Sequence, residues 1–499
     1  MRERGVVAAG HPLTAAAGAE ALRAGGNAVD ATAAAILTAF VAEPLLAGLG
    51  CGGYLMVAPP EAPPVLLDFF VDAPGHGADG AERAPLRPVV VSFGDATQTF
   101  HVGAASCGTY GAPAGVAAAV DRFGTMPLAE LTAPAARLAR RGVVVNDMQA
   151  YLYSLLAGIV GSTPEAAARY LIDGRVPLAG DVVHDPELAD ALDRLGAEGA
   201  APFYTGDIGR AVSDWVVRAG GTLTRDDLAG YRVAPREPVS VAYRGREVYT
   251  NPPPSAGGLL LALSLGLLDR TPGPPDERAL VAAMRAAQEA RTPEFLAGLA
   301  AAPSPAALGF GALGFGAQGF ASRLGSTTHV SVLDAEGWAC ALTCTNGEGS
   351  GVRVPGTGMH VNNMMGEEDL SPLGFFTHRP GDRLPSMMAP TVVRSDGVAE
   401  LVVGSAGSNR IRSALLQVIA NVIDRSLPAQ QAVDAPRLHF EDGTVYTEPG
   451  IDVAALGLPT VAFRAPNLFF GGCQAAERRP TGALSGGGDP RRGGAVVVA

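Results

Sequence analysis

From residue 327 onward the chain alternates. Thr328, Val330 and Val332 fall on one side of an extended segment and Thr327, His329 and Ser331 on the other. This predicts a strand that opens at Thr327. A turn at Asp334-Ala335-Glu336-Gly337 and a second run over 338–345 make it a hairpin. Nearer the N-terminus, residues 12–46 carry alanine-rich helical segments broken at Gly25-Gly26-Asn27, where two glycines end one helix and Asn27 caps the next. Residues 54–57 and 65–71 read as paired strands. Residues 114–233 are mostly helical, with a capped helix start at Thr224-Arg225-Asp226-Asp227. Residues 237–250 return to strand alternation, and Asn251-Pro252-Pro253-Pro254-Ser255-Ala256-Gly257-Gly258 bends into an apolar helix from Leu259. Strands near 352–361, 390–394 and 399–404 follow, then a helix over 411–425. Strands in one block, helices in another and antiparallel hairpins predict an α+β layered fold.

Composition narrows the chemistry. The chain has 499 residues, 47% of them hydrophobic, so it can build a large core unaided. Its net charge is -12 and it contains no lysine. A nucleic-acid partner is not expected, because phosphate binding needs a basic face. Cys51, Cys107, Cys340, Cys344 and Cys473 are odd in number and form no Cys-x-x-Cys, so neither a disulfide framework nor a zinc site follows. No metal or organic cofactor is expected. No signal-like apolar core stands near the start and no later run suits a bilayer, so the expectation is a cytoplasmic protein without a membrane partner. Gly48-Leu49-Gly50-Cys51-Gly52-Gly53 matches a dinucleotide fingerprint in letters only, since it follows a helix and opens a strand, the reverse of what that fingerprint needs.

The segment ahead of Thr327 is different in kind. Leu308-Gly309-Phe310-Gly311-Ala312-Leu313-Gly314-Phe315-Gly316-Ala317 is a glycine-rich tandem repeat, and a linker near 303–326 is expected around it. Slack followed by a strand edge suits a chain that cuts itself between Ser326 and Thr327. Thr327 would then carry both nucleophile and base, its hydroxyl attacking while its freed α-amine takes the proton. Thr-Thr at a strand start is also ordinary β-structure, and the rest of the chain has to decide between the two.

Gly25-Gly26-Asn27-Ala28-Val29-Asp30-Ala31, Gly124-Thr125-Met126-Pro127-Leu128, Phe203-Tyr204-Thr205-Gly206, Pro252-Pro253-Pro254-Ser255-Ala256-Gly257-Gly258, Thr327-Thr328-His329-Val330-Ser331-Val332, Asn362-Asn363, Gly404-Ser405-Ala406-Gly407, Ala435-Pro436-Arg437 and Asp489-Pro490-Arg491-Arg492-Gly493-Gly494 together resemble the γ-glutamyltranspeptidase family. The resemblance implies a four-layer αββα N-terminal-nucleophile hydrolase fold. It also implies a precursor that splits into a large subunit, 1–326, and a small one, 327–499, which stay in one folded body; it leaves room for a higher homo-oligomer. Thr327 would be the nucleophile and Thr345 its hydrogen-bonding neighbour, and the backbone amides of Gly407 and Ser408 would hold the oxyanion.

The sequence departs from that family at the substrate clamp. Where relatives hold an α-carboxylate with an arginine and two serines, this chain has Phe70, Ser386 and Met387. A phenyl ring cannot replace a bidentate guanidinium. Met364 and Glu367 stand where relatives bind the α-amino group, and Asn346 is displaced by a shortened loop. Two explanations are open: a different acyl group is bound, which is the preferred reading, or Arg353, Arg379 or Arg383 supplies the missing charge. His329 reads as a packed structural histidine, and Cys340 and Cys344 as buried apolar fillers. The expectation is a self-processing amidohydrolase or acyltransferase acting on a small molecule. Its alternatives are a carbon–carbon bond hydrolase releasing an oxalyl-type fragment and a non-catalytic small-molecule-binding homologue.

Overall fold

The computed structural model describes residues 3–78, 80–92, 97–301, 327–368, 370–371 and 374–499. The expected linker and Ser326 lie outside them. Two antiparallel sheets face one another. The first runs Ala495–Val498, Gly5–Ala9, Thr328–Asp334, Ala339–Thr345, Gly52–Ala58, Val65–Phe69, Ala234–Arg236. The second runs Leu484–Gly488, Gly472–Arg478, Val398–Ala406, Thr391–Ser395, Arg246–Thr250, Val239–Tyr243. Helices Pro12–Arg23, Ala28–Ala42 and Ala112–Phe123 cover the first sheet, with Leu128–Arg141 packed outside Ala28–Ala42, and Ala256–Asp269, Arg410–Ile423 and Ala429–Asp434 cover the second. The strand and helix pattern predicted an α+β layered fold, and the order helix, sheet, sheet, helix is the four-layer sandwich that the family resemblance implied.

The helix Ala28–Ala42 is buried along its whole length, and its small residues let it lie close to the Thr328–Asp334 and Ala339–Thr345 hairpin. Asn27 caps it as expected: its Oδ1 accepts from the amides of Val29 and Asp30, and the Asp30 carboxylate accepts from the Asn27 amide in return. Thr224 and Asp227 form a matching box at the helix Arg225–Gly230. On the central hairpin, Val330, Val332, Leu342 and Cys344 pack into the helical layer, while His329 and Ser331 turn toward the second sheet. The alternation in the sequence therefore becomes the division between two packing layers.

The glycines of 48–53 serve packing. A Cβ on Gly50 would stand 2.1 Å from the carbonyl oxygen of His360, and one on Gly53 2.5 Å from that of Thr343. The region near 352–361 holds only the two-residue strands Arg353–Val354 and Met359–His360. The strands Gly472–Arg478, Leu484–Gly488 and Ala495–Val498 were not anticipated. Glycine-rich stretches such as 486–488 carry no strand signal, and here they are extended because Gly487 abuts the backbone of Ala429. Among the described residues no helix is long and apolar enough to cross a membrane.

Candidate active site

The hairpin fixes the first two candidate side chains. Thr328 stands opposite Cys344 in an antiparallel register, which carries Thr327 and Thr345 to the same end of the sheet. Both are buried and both line one pocket. The Thr345 hydroxyl accepts from the amide of Gly347 at 3.0 Å, which fixes its rotamer. Thr328 faces the other way, and its hydroxyl donates to Glu43 at 2.7 Å.

The third wall comes from the junction between the strand Val398–Ala406 and the helix Arg410–Ile423. Gly407 has φ 121° and Ser408 φ 50°. At Gly407 a side chain would be strained, and its Cβ would lie 3.0 Å from the Gly471 Cα. The turn is closed by amides of Arg410 and Ile411 donating to the carbonyls of Gly407 and Ser408, both at 3.0 Å. It delivers the 407–408 backbone to the positive end of a 14-residue helix. That is suitable ground for a developing oxyanion.

The fourth wall is the segment 386–388, held by the proline-rich bend. Ser255 Oγ donates to the carbonyls of Ser386 at 2.8 Å and Met388 at 3.0 Å, and Asn251 Nδ2 donates to Met388 at 2.9 Å. Gly257 must be glycine, since a Cβ there would stand 2.0 Å from the Met387 carbonyl oxygen. The motif at 252–258 thus acts at a distance: it aims the Met387 side chain's segment at the pocket.

Phe70, Thr327, Thr345, Met364, Glu367, Ser386, Met387 and Ser408 all line this pocket, which holds about 400 Å³ of space not filled by atoms. Gly347, Leu370, Met388 and Ile411 complete the lining; sequence reading had not singled them out. Gly347 and Met388 adjoin singled-out positions, Asn346 and Met387, which was the only available signal. Gly407 contributes backbone beside Ser408. Asn346 is not in the lining: its Nδ2 donates to the carbonyl of His360 at 3.4 Å. Glu367 accepts from Asn363 Nδ2 at 2.9 Å, and Asn363 in turn accepts from the amide of Glu348.

Glu367 is the sole charged side chain among the described lining residues. Phe70 stacks on Tyr54 with ring centroids 5.3 Å apart. Arg383 lies behind it and is fully engaged: Nε is 2.8 Å from Asp72 and Nη1 3.2 Å from Asp68, and it also donates to the Tyr231 hydroxyl and the Phe70 carbonyl. Arg353 pairs with Asp185 at 2.9 Å and Glu187 at 3.1 Å, beside a different cavity. Arg379 is exposed and outside the lining. None of the three reaches the pocket.

His329 is no base for Thr327. Its Nδ1 bonds Thr343 Oγ1 at 2.8 Å and its Nε2 bonds Ser331 Oγ at 2.9 Å. Burial pulls its pKa down to about 3, so the ring is neutral. The five cysteines are unbridged and buried. Among the described residues no group of three or more His, Cys, Asp or Glu is placed to hold a metal.

Comparison with known proteins gives the family of the whole chain. Residues 14–305 and 312–499 match the family model described as Gamma-glutamyltranspeptidase. The chain is 32% identical to the Acylase ACY 1 proenzyme of a Pseudomonas species, over 99% of this chain and 93% of that one. It is 30% identical to the Glutathione hydrolase proenzyme of Escherichia coli, over 98% and 90%. Among solved structures, the cephalosporin acylase from Bacillus halodurans superposes with a TM-score of 0.81 at 25% identity, covering 99% of this chain and 96% of that one.

Proposed function

This chain belongs to the gamma-glutamyltranspeptidase family, and from that premise we propose that it is an acylase whose nucleophile is Thr327 and whose acyl group is apolar, not γ-glutamyl. It is an N-terminal-nucleophile hydrolase that works through a threonine. The precursor is cut between Ser326 and Thr327 into a 1–326 and a 327–499 subunit. The Thr327 hydroxyl then attacks the acyl carbonyl and its proton passes to the new α-amine. The tetrahedral oxyanion faces the amides of Gly407 and Ser408, and Thr345 orients the nucleophile. Collapse breaks the C–N bond, and the proton held by the α-amine leaves with the departing amine. Water enters, gives a proton back through the same amine, and releases the carboxylic acid and free Thr327.

The lining of the pocket is the observation that carries the choice of acyl group. Phe70, Met364, Leu370, Met387, Met388 and Ile411 surround the nucleophile, and no described lining residue is cationic. A γ-glutamyl α-carboxylate would be desolvated there without a partner and within the same pocket as Glu367. The two acylase relatives support amide cleavage. No feature of the pocket favours carbon–carbon cleavage over it.

A panel of anilides tests the reading. Short aliphatic acyl anilides are expected to exceed γ-glutamyl anilide in kcat/KM by about 100-fold or more, the scale set by an unpaired buried charge. A preference for the γ-glutamyl donor overturns the apolar assignment.

A further inference from the structure

A second cavity lies behind the nucleophile strand, on the side opposite the pocket. It is a recess partly open to solvent, lined in part by Gly10, His11, Glu43, Leu45, Leu152, Tyr153 and Arg492. Arg492 is the unusual member. It is only 9% exposed, yet its guanidinium forms no hydrogen bond or ion pair with any described residue, and its Nε is wholly enclosed. The neighbouring Arg491 shows the contrast, with its guanidinium bonded to Glu448, Asp489 and the carbonyl of Val433. A buried cation without partners is costly unless something in its cavity answers it.

Three carboxylates act on Arg492 from nearby without bonding it, Asp489, Glu348 and Glu43; Asp489 is paired with Arg437 and Arg491 instead. Both carboxylate oxygens of Glu43 are taken, Oε1 by the Thr14 hydroxyl at 2.8 Å and Oε2 by the Thr328 hydroxyl at 2.7 Å. Burial raises the pKa of Glu43, which weakens it further as a counter-charge. Arg492 falls only to about 10 and stays cationic at neutral pH. His11 supplies a second donor. Its Nδ1 accepts from the amide of Leu13 at 3.1 Å, so the neutral ring carries its proton on Nε2. Asn146 and Gln149 also line the cavity, but each side-chain oxygen accepts from the other residue's amide and Gln149 Nε2 donates to the Ala42 carbonyl; Pro44, Leu45, Leu46, Met148 and Leu152 make the rest of the wall apolar.

We propose that this cavity binds a small monocarboxylate with a short apolar tail, the carboxylate on the Arg492 guanidinium and His11 Nε2–H, the tail against Leu45, Leu152 and Tyr153. One oxygen pair answers the orphaned cation, and the tail replaces water along the apolar wall. Because Glu43 lines the cavity and also holds Thr328, the occupant sits one hydrogen bond from the residue that follows Thr327. The site does not depend on which acyl group the pocket accepts.

The test is thermal unfolding of the purified full protein titrated with sodium butyrate, against sodium chloride at equal ionic strength. The expected result is a saturable rise in Tm with butyrate alone. Arg492→Met should weaken its midpoint by about tenfold or more, the scale of a charge-assisted pair. Leu152→Trp, which leaves Arg492 in place and fills the cavity from its rim, should abolish it and keeps the test valid where Arg492→Met does not fold. No saturable rise overturns the proposal. So does a rise that survives both substitutions, which would place butyrate in the nucleophile pocket.

Discussion

Thr328 gives its hydroxyl hydrogen to Glu43 Oε2 at 2.7 Å, from the face of the strand opposite Thr327. The residue after Thr327 is thereby tied to the end of the helix Ala28–Ala42. A new chain end at 327 would otherwise fray, as strand termini do. Replacing Glu43 by alanine strands two buried hydroxyls, Thr14 and Thr328, at about 1–3 kcal/mol each. Urea unfolding should show a loss of about 2–5 kcal/mol, and Glu43→Gln, which keeps one acceptor, a smaller one.

Thr345→Val removes the hydroxyl that accepts from the Gly347 amide at 3.0 Å and shares the pocket with Thr327. With Thr345 in the proposed orienting role, its loss should lower kcat by about 10–100-fold, equivalent to about 1.4–2.7 kcal/mol, with little change in KM. Steady-state kinetics of the variant decide it; a rise in KM at constant kcat would assign Thr345 to substrate binding instead.

Gly407→Ala should damage the site through its backbone. With φ at 121° and Gly471 Cα 3.0 Å from the added Cβ, the turn must shift or carry strain of about 1–3 kcal/mol. Denaturation is expected to show that loss. Turnover should fall by about 100-fold, the usual scale for one displaced oxyanion donor.

His329 gives a pH signature with a definite sign. Its folded pKa is pulled down to about 3 by burial, against an ordinary value of 6.5. Between those values the unfolded chain binds a proton that the folded chain refuses, so its contribution is intact above pH 6.5 and is lost as pH falls toward 3. The slope in that window is about 1.4 kcal/mol per pH unit. His329→Gln lowers stability at neutral pH but should flatten the acid side of the profile by that slope, measured as the difference from wild type at each pH. An unchanged slope would mean that the ring is charged in the folded state.

The sequence made the local devices legible. The Asn27 cap, the Thr224–Asp227 box and the alternation from Thr327 to Leu333 each depend on neighbours within a few residues, and each folded as expected; the reciprocal role of Asp30 at the Asn27 cap was not singled out. Phe70, Met364 and Met387 could be assembled around Thr327 only through the family likeness, because nothing local says that these segments meet. Glu43 was missed for the same reason: its partners Thr14 and Thr328 belong to distant parts of the chain. The glycine-rich strand Leu484–Gly488 was invisible because its extension is imposed by packing against Ala429, with no side-chain pattern of its own. Arg383 and Arg353 looked available as letters, and only their carboxylate partners show that they are not.

The most direct test of the account is the mass and N-terminal sequence of the purified protein on a denaturing separation. The wild type is expected as two fragments, the smaller beginning at Thr327, and Thr327→Ala as one intact, inactive chain. Active wild-type protein that remains a single chain, or a small fragment starting at any other residue, would contradict the central claim that a threonine freed at position 327 performs the chemistry.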